Sequence, residues 1–198
     1  MVSNAEQTLA LARSRPATLG SGRLICVDGP AGSGKTTLGE EIASLSGAPV
    51  IHMDDLFEGW EGLPRIAEQL DTLLPPLAQG RPGSYRRWDW PGNAWAETVV
   101  VPTAPMLVLE GVGSGARAHA HLATVLVWVE VPYDLRQERG LERGGVGVAE
   151  NWRQWAIDEQ QLFARELTRE RADLLVDGRV GSLGDRPAGH VGRRGPAD

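Results

Sequence analysis

The stretch that most narrows what this chain can fold into is Gly29-Pro30-Ala31-Gly32-Ser33-Gly34-Lys35-Thr36, which fits G-x-x-x-x-G-K-[ST]. Its flanks narrow the choice further. Leu24-Ile25-Cys26-Val27 is a short apolar run of buried-strand character ending at Asp28, and Thr37 to Ala43 carries Leu38 and Ile42 at helical spacing. A strand, a glycine-rich turn and a helix in that order form a nest for phosphate. Because a phosphate chain is polyanionic, the turn must aim its backbone N–H groups inward. Glycine allows that curvature, and the helix opening near Gly34 adds its positive end. In this reading Lys35 reaches the β- and γ-phosphates while the Thr36 hydroxyl ligates Mg²⁺. The expected nucleotide contacts are Gly29, Ala31, Gly32, Ser33, Gly34, Lys35, Thr36 and Thr37. With 25 glycines among 198 residues a chance match has to be weighed; the flanking strand and helix argue against it.

Composition removes several classes. The length suits one domain with a real core and would cramp two. A formal charge of −6 implies no broad basic surface for nucleic acid or an anionic membrane. The single cysteine, Cys26, excludes a disulfide framework and a thiolate cluster, and it reads as a small buried apolar residue. No apolar run approaches the ~20 residues of a membrane helix. Residues 1–22 lack the apolar core of a secretion signal, so a cytoplasmic setting is expected.

Taken in order, the chain alternates strands and helices. A short helix is expected over 5–14, ahead of Pro16 and Gly20, which makes 1–22 an N-terminal helix and linker. Strands are expected at 24–27, 50–53, 106–109, 125–129 and 173–176. Helices follow the glycine-rich turn and span 63–77 (closed by Pro75-Pro76), 133–141 and 149–169. Ser84 to Val101, with Pro91-Gly92-Asn93 between its halves, reads as a β-hairpin. The alternation implies a parallel sheet covered on both faces. After Gly178 the chain is rich in Gly, Pro and Arg, and 179–198 is expected to be a disordered tail.

Carboxylates just past strand ends belong to the ligand crevice of an open α/β sheet. Asp54 is the expected base for a substrate hydroxyl, with a helix N-cap as the competing role; Asp55 leans towards the cap. Glu110 ends an apolar strand and is expected on the Mg²⁺ side, the alternative being a solvated strand end. Arg136, Arg139 and Arg143 recur at three and four, which suits either a lid over the phosphates or a solvated face paired with Glu138 and Glu142. Trp88 and Trp60 could wall a planar substrate, whereas Trp90 and Trp95 are expected in hairpin packing and Trp152 and Trp155 in the core. His119 and His121 are expected in a surface loop, and His52 as a satisfied interior residue.

Several motifs carry a resemblance: Gly-Pro-Ala-Gly-Ser-Gly-Lys-Thr-Thr at 29–37, Met-Asp-Asp-Leu-Phe at 53–57, Trp-Asp-Trp at 88–90, Ala96 to Pro102, and Leu109-Glu110-Gly111-Val112. In this order they resemble the uridine kinase branch of the P-loop kinases, which also holds phosphoribulokinase-like and pantothenate kinase-like enzymes. The similarity runs from about Arg23 to Gly178. It implies a P-loop NTPase three-layer α/β/α fold with strand order 2-3-1-4-5, a hairpin insertion over 84–101 and a helical lid over 133–147. It also implies transfer of the ATP γ-phosphate to an alcohol, with Asp54 as base, Trp88 packing on a nucleobase, and Arg136 and Arg139 in the lid. The pyrimidine-holding Phe-Asp-His-Pro stretch of uridine and cytidine kinases is missing between Phe57 and Ser84, and Pro91-Gly92-Asn93-Ala94 stands where that branch carries an arginine. The reaction type therefore transfers better than the substrate.

Three functions compete. The first is a small-molecule kinase acting on a hydroxyl with ATP and Mg²⁺. The second is a nucleoside monophosphate kinase, in which Arg86, Arg87 and Arg117 would hold the acceptor phosphate. The third is a nucleotide-dependent switch, since Asp89-Trp90-Pro91-Gly92 fits D-x-x-G; no Asn-Lys-x-Asp motif accompanies it.

Overall fold

A computed structural model describes residues 2–145 and 147–179, so the tail expectation beyond Arg179 lies outside the described residues. Among the described residues, seven strands and seven α-helices follow one another. They are α1 (Asn4–Ser14), β1 (Arg23–Asp28), α2 (Lys35–Ser46), β2 (Val50–His52), α3 (Ile66–Asp71), α4 (Leu74–Ala78), β3 (Gly83–Asp89) and β4 (Ala94–Val101). Then come β5 (Met106–Glu110), β6 (Val125–Glu130), α5 (Tyr133–Arg143), α6 (Val148–Glu166), α7 (Thr168–Arg171) and β7 (Leu174–Asp177).

Five strands form one sheet in the order β2-β5-β1-β6-β7, every neighbouring pair parallel. Counting only these strands, the order is 2-3-1-4-5. β3 and β4 make a separate antiparallel hairpin with a register shift between Arg86 and Trp88.

The alternation of side chains along a strand explains why the central strands are apolar throughout. Leu24 and Cys26 of β1, with Leu107 and Leu109 of β5, face a core shared with α3, α4, the hairpin and α6. Ile25, Val27 and Val108 face the opposite core, which Leu9 and Ala12 of α1 and Leu38 and Ile42 of α2 complete. Each fully buried aliphatic side chain contributes about 1.5–3 kcal/mol, so both layers are needed to hold the sheet. The N-terminal helix is therefore part of this core, anchored by a capping box in which Ser3 and Glu6 satisfy each other's backbone N–H groups.

Two expected helices differ in detail. The 63–77 segment is one 3-10 turn (Leu63–Arg65) followed by α3 and α4, and Pro75-Pro76 stand in the first turn of α4 instead of closing a helix. Proline is tolerated there because those N–H groups have no intrahelical partner. The 149–169 helix is interrupted at Leu167, which takes φ 51°, so α6 and α7 are separate.

Candidate active site

The strand-to-helix turn after β1 has the backbone its composition demands. Gly29, Gly32 and Gly34 have φ of 141°, 79° and 99°. A Cβ on Gly29 would stand 2.1 Å from the Val129 carbonyl oxygen, and one on Gly32 would stand 2.2 Å from that of Arg136. The turn is thus pressed against β6 and α5 as well as strained, and only glycine suits both conditions.

Asp28, at the end of β1, anchors this turn. It is wholly buried. Its carboxylate accepts the N–H groups of Gly29 at 2.7 Å, Gly113 at 3.0 Å and Gly115 at 2.8 Å. Burial raises its pKa from 3.8 to about 6, against the lowering effect of these bonds and of Lys35. One carboxylate thereby ties the start of the turn to the loop after β5. Sequence reading had used Asp28 only as a strand terminus, since nothing local announces partners more than eighty residues away.

Lys35 is 7 % exposed, and its ammonium donates to the Pro30 carbonyl oxygen at 2.9 Å. Burial lowers its pKa, opposed by Glu110 first and then by Glu159, Asp28 and Asp54. Ser33 is buried with its hydroxyl unpartnered, Ala31 and Gly34 are half-buried, and Thr37 is exposed.

Glu110 ends β5, 4 % exposed, with both carboxylate oxygens 3.3 Å from the Thr36 hydroxyl. The parallel register of β2 and β5 sets His52 opposite Glu110, and Nδ1 of His52 lies 2.5 Å from the carboxylate. That bond raises the His52 pKa; burial opposes it. His52 is half-buried at the crevice and belongs to this cluster, not to the interior where the sequence put it. The clue was spacing: His52 stands two residues before Asp54, on a strand that ends at the same edge.

Asp54 lies in the 3-10 turn Met53–Asp55, and neither it nor Asp55 caps a helix. Its side chain reaches water, and among the described residues its carboxylate has no hydrogen bond. The protein around it raises its pKa first and Glu110 second, while Lys35, Arg143 and His52 pull it down. Water at the crevice mouth screens these effects. The charges of Glu110, Lys35 and Arg143 thus all act on Asp54.

The aromatic residues change places relative to expectation. Trp88, expected against a nucleobase, is 7 % exposed and packs edge-on to Trp95 with ring centroids 5.0 Å apart. A Cβ on Gly59 would meet its ring at 3.5 Å, so this indole serves hairpin packing. Trp90, expected only in packing, is half-buried and donates its indole N–H to the Asp54 carbonyl oxygen at 3.0 Å. Trp60 stands edge-on to Trp90 at 5.1 Å and to Trp155 at 5.7 Å. The aromatic pair beside Asp54 is Trp60 with Trp90. The bulge between Arg86 and Trp88 shifts the register of side chains along β3, which residue spacing alone does not reveal.

The arginines divide as well. Arg136 is buried in an ion pair with Glu159 of α6, whose carboxylate also accepts the Ala31 N–H at 2.9 Å. Through Glu159 and its own approach to the Ala31 carbonyl oxygen, Arg136 is thus tied to the glycine-rich turn. Arg139 donates to the Gly178 carbonyl oxygen at 3.2 Å, beside Gly34. Arg143 is the arginine whose charge reaches Asp54. Arg117 is exposed, its backbone N–H held by Glu166 at 2.8 Å. Among the described residues no hydrogen bond or ion pair ties its side chain to the turn or to Asp54. His119, expected on the surface, is buried and bonded to Asp71 at 2.9 Å.

The fit of the site to Mg²⁺ can be judged from its donors. A hydroxyl and a carboxylate side by side are hard oxygen ligands, and among the described residues no group of three His, Cys, Asp or Glu side chains could hold a metal. Mg²⁺ bound mainly through substrate phosphates, with one or two protein oxygens, needs no more than this.

With the geometry established, comparison with known proteins is informative. Among the solved structures that resemble this chain, two match it over most of its length. One is a protein described as a possible uridine kinase from Bacillus stearothermophilus, with TM-score 0.57, 19 % identity, and coverage of 87 % of this chain and 98 % of the other. The second, described in the same guarded terms as a fructose transport system kinase from Silicibacter sp. TM1040, gives TM-score 0.57 and 22 % identity, covering 88 % and 99 %. The chain shares the fold of these two structures, a parallel α/β sheet with helices on both faces and a glycine-rich strand-to-helix turn. No protein-family model and no curated protein matches the sequence. Among the described residues no helix is long and apolar enough to cross a membrane.

Proposed function

We propose that this P-loop kinase-like protein transfers the γ-phosphate of ATP to a hydroxyl group of a small molecule with a nucleoside-like or sugar-like body. The observation that carries the reading is the Asp54 carboxylate, open to water and, among the described residues, free of hydrogen bonds, within electrostatic reach of Lys35 and Glu110. A carboxylate with a raised pKa is the better proton acceptor, and one left unbonded is available to a hydroxyl. In the proposed reaction Asp54 takes the hydroxyl proton, the freed oxygen attacks the γ-phosphorus, and ADP leaves. Lys35 and the backbone N–H groups of the turn hold the phosphate charge. Thr36 and Glu110 would hold Mg²⁺, which neutralises charge on the phosphate oxygens when bound. Trp60 and Trp90 give the acceptor an apolar flank beside the base.

The competing monophosphate kinase needs cations for a second phosphate, and the hairpin arginines are already engaged. Arg87 makes a two-pronged pair with Glu97 at 2.9 and 3.0 Å, and Arg86 lies over the Trp95 ring at 5.2 Å. This favours an acceptor without a phosphate. The switch reading is disfavoured because Asp89-Trp90-Pro91-Gly92 runs from the end of β3 into the hairpin turn, outside the parallel sheet.

The test is a panel of nucleosides, sugars and other alcohols, each paired with its phosphate ester, followed by Mg²⁺-dependent ADP release. Turnover with an alcohol and little with its ester is expected. Turnover confined to monophosphates would overturn the hydroxyl assignment, and nucleotide hydrolysis indifferent to every acceptor would sink the kinase reading.

A further inference from the structure

Three arginines rise from α5, and the first of them is set apart by its surroundings. The Arg136 guanidinium is 12 % exposed and the Glu159 carboxylate it pairs with is 1 % exposed. Glu159 reaches across from α6 to accept the Ala31 N–H at 2.9 Å, and Arg136 approaches the Ala31 carbonyl oxygen at 3.4 Å. The Arg136 carbonyl oxygen is the atom that a Cβ on Gly32 would strike. The middle of the glycine-rich turn is therefore clasped by α5 on one side and by α6 on the other. α6 itself cannot yield, because Trp155 and Leu162 are buried in the core, where Trp155 meets Phe57 at 5.0 Å.

A buried carboxylate beside a phosphate site is a liability, since it repels the ligand and is costly to desolvate unless paired. Its presence here needs a reason, and its bond to Ala31 supplies one. We propose that Glu159 and Arg136 are a positioning pair for the phosphate-binding turn. Glu159 holds the front of the turn through the Ala31 N–H, Arg136 cancels its charge, and neither group touches the nucleotide. The cationic contacts to phosphate from α5 then fall to Arg139 and Arg143. This inference rests on the kinase reading only in taking the ligand of the turn to be a nucleoside triphosphate.

Two measurements on the full chain test it. The first is hydrogen exchange of the Ala31 amide, read by NMR on nucleotide-free protein and independent of activity. Exchange is expected to be slow in the parent, slow in Glu159→Gln, whose amide oxygen still accepts, and at least about tenfold faster in Glu159→Ala. Equal exchange in the parent and Glu159→Ala would overturn the proposal. If Glu159→Ala does not fold, the second measurement decides. It compares the MgATP dissociation constant and kcat of Arg136→Met with those of Arg136→Met combined with Glu159→Gln. Arg136→Met leaves an unpaired buried carboxylate and is expected to weaken MgATP binding about tenfold or more. The double variant removes that carboxylate and should recover binding to within about threefold of the parent. A double variant as weak as Arg136→Met, with the loss in kcat, would assign Arg136 to the phosphates and end the proposal. A parent protein that binds no MgATP would instead count against the kinase reading, and the Ala31 exchange would still decide the pair.

Discussion

The two halves of the crevice are built differently. In the proposed kinase reading the donor half consists of backbone held by buried groups: Gly29 and Gly32 pressed on neighbouring carbonyls, Asp28 gripping three N–H groups, and Lys35 buried against the Pro30 carbonyl. The acceptor half consists of side chains from separate elements at a solvent-reached surface: Asp54 from a 3-10 turn, Trp60 from another, Trp90 from the hairpin and Arg143 from the end of α5. A rigid donor half suits a ligand that is the same in every reaction. An acceptor half assembled from adjustable parts suits a ligand that differs between enzymes sharing the fold. Strain and burial should therefore dominate substitutions of the glycines and Asp28 on the first side, and chemistry those of Lys35 and of the second side.

The sharpest way to break this contrast is Lys35→Met. A cation on the transferring phosphate is expected to be worth on the order of 10³–10⁵ in turnover. The nucleotide-free melting temperature should stay within about 4 °C, because a buried ammonium is lost along with its desolvation cost. Collapse of the fold in a thermal melt would show that the lysine supports structure more than chemistry. Asp54→Asn comes next. It should lower turnover with the alcohol acceptor by about 10²–10⁴ while MgATP affinity measured by calorimetry stays near the parent's. Undiminished turnover would remove Asp54 from the chemistry.

Asp28 tests the donor half through pH. An acid whose pKa is raised on folding binds its proton more tightly in the folded chain. Its contribution to stability is therefore fullest below the ordinary value of 3.8 and is lost as the pH climbs through about 6. The shift corresponds to about 3 kcal/mol at 1.36 kcal/mol per pH unit. Denaturant unfolding at pH 7 and pH 4 should show the parent gaining about this much relative to Asp28→Asn, which has no such proton to bind. A pH-independent difference between the two would mean that Asp28 is not desolvated. The smallest effect is expected from Arg87→Ala on the hairpin. Its pair with Glu97 is solvent-exposed, so kcat/KM for an alcohol should change by no more than about threefold. A far larger loss confined to phosphorylated acceptors would revive the monophosphate kinase reading.

These contrasts also explain what could be read in advance. Leu24 to Val27, Met106 to Leu109 and Val125 to Val129 are legible as strands because burial on two faces demands apolar residues at every position. Asp54 and Glu110 were legible because strand ends point to one edge. Trp88 and Trp90 were not, since the bulge in β3 decides which indole turns towards Asp54. Arg136, Arg139 and Arg143 have the same helical spacing, and only their neighbours on α6 and after β7 tell them apart.

By itself, then, the amino-acid sequence determined the turn and its elements, because φ above zero, strand burial and helix spacing are local demands met by local residue types. The tertiary structure alone decided which charges meet. Asp28 with Gly113 and Gly115, His52 with Glu110, and Glu159 with Ala31 and Arg136 are pairs separated by long stretches of chain. Their interaction depends on distances of a few ångströms that sheet register and helix packing create.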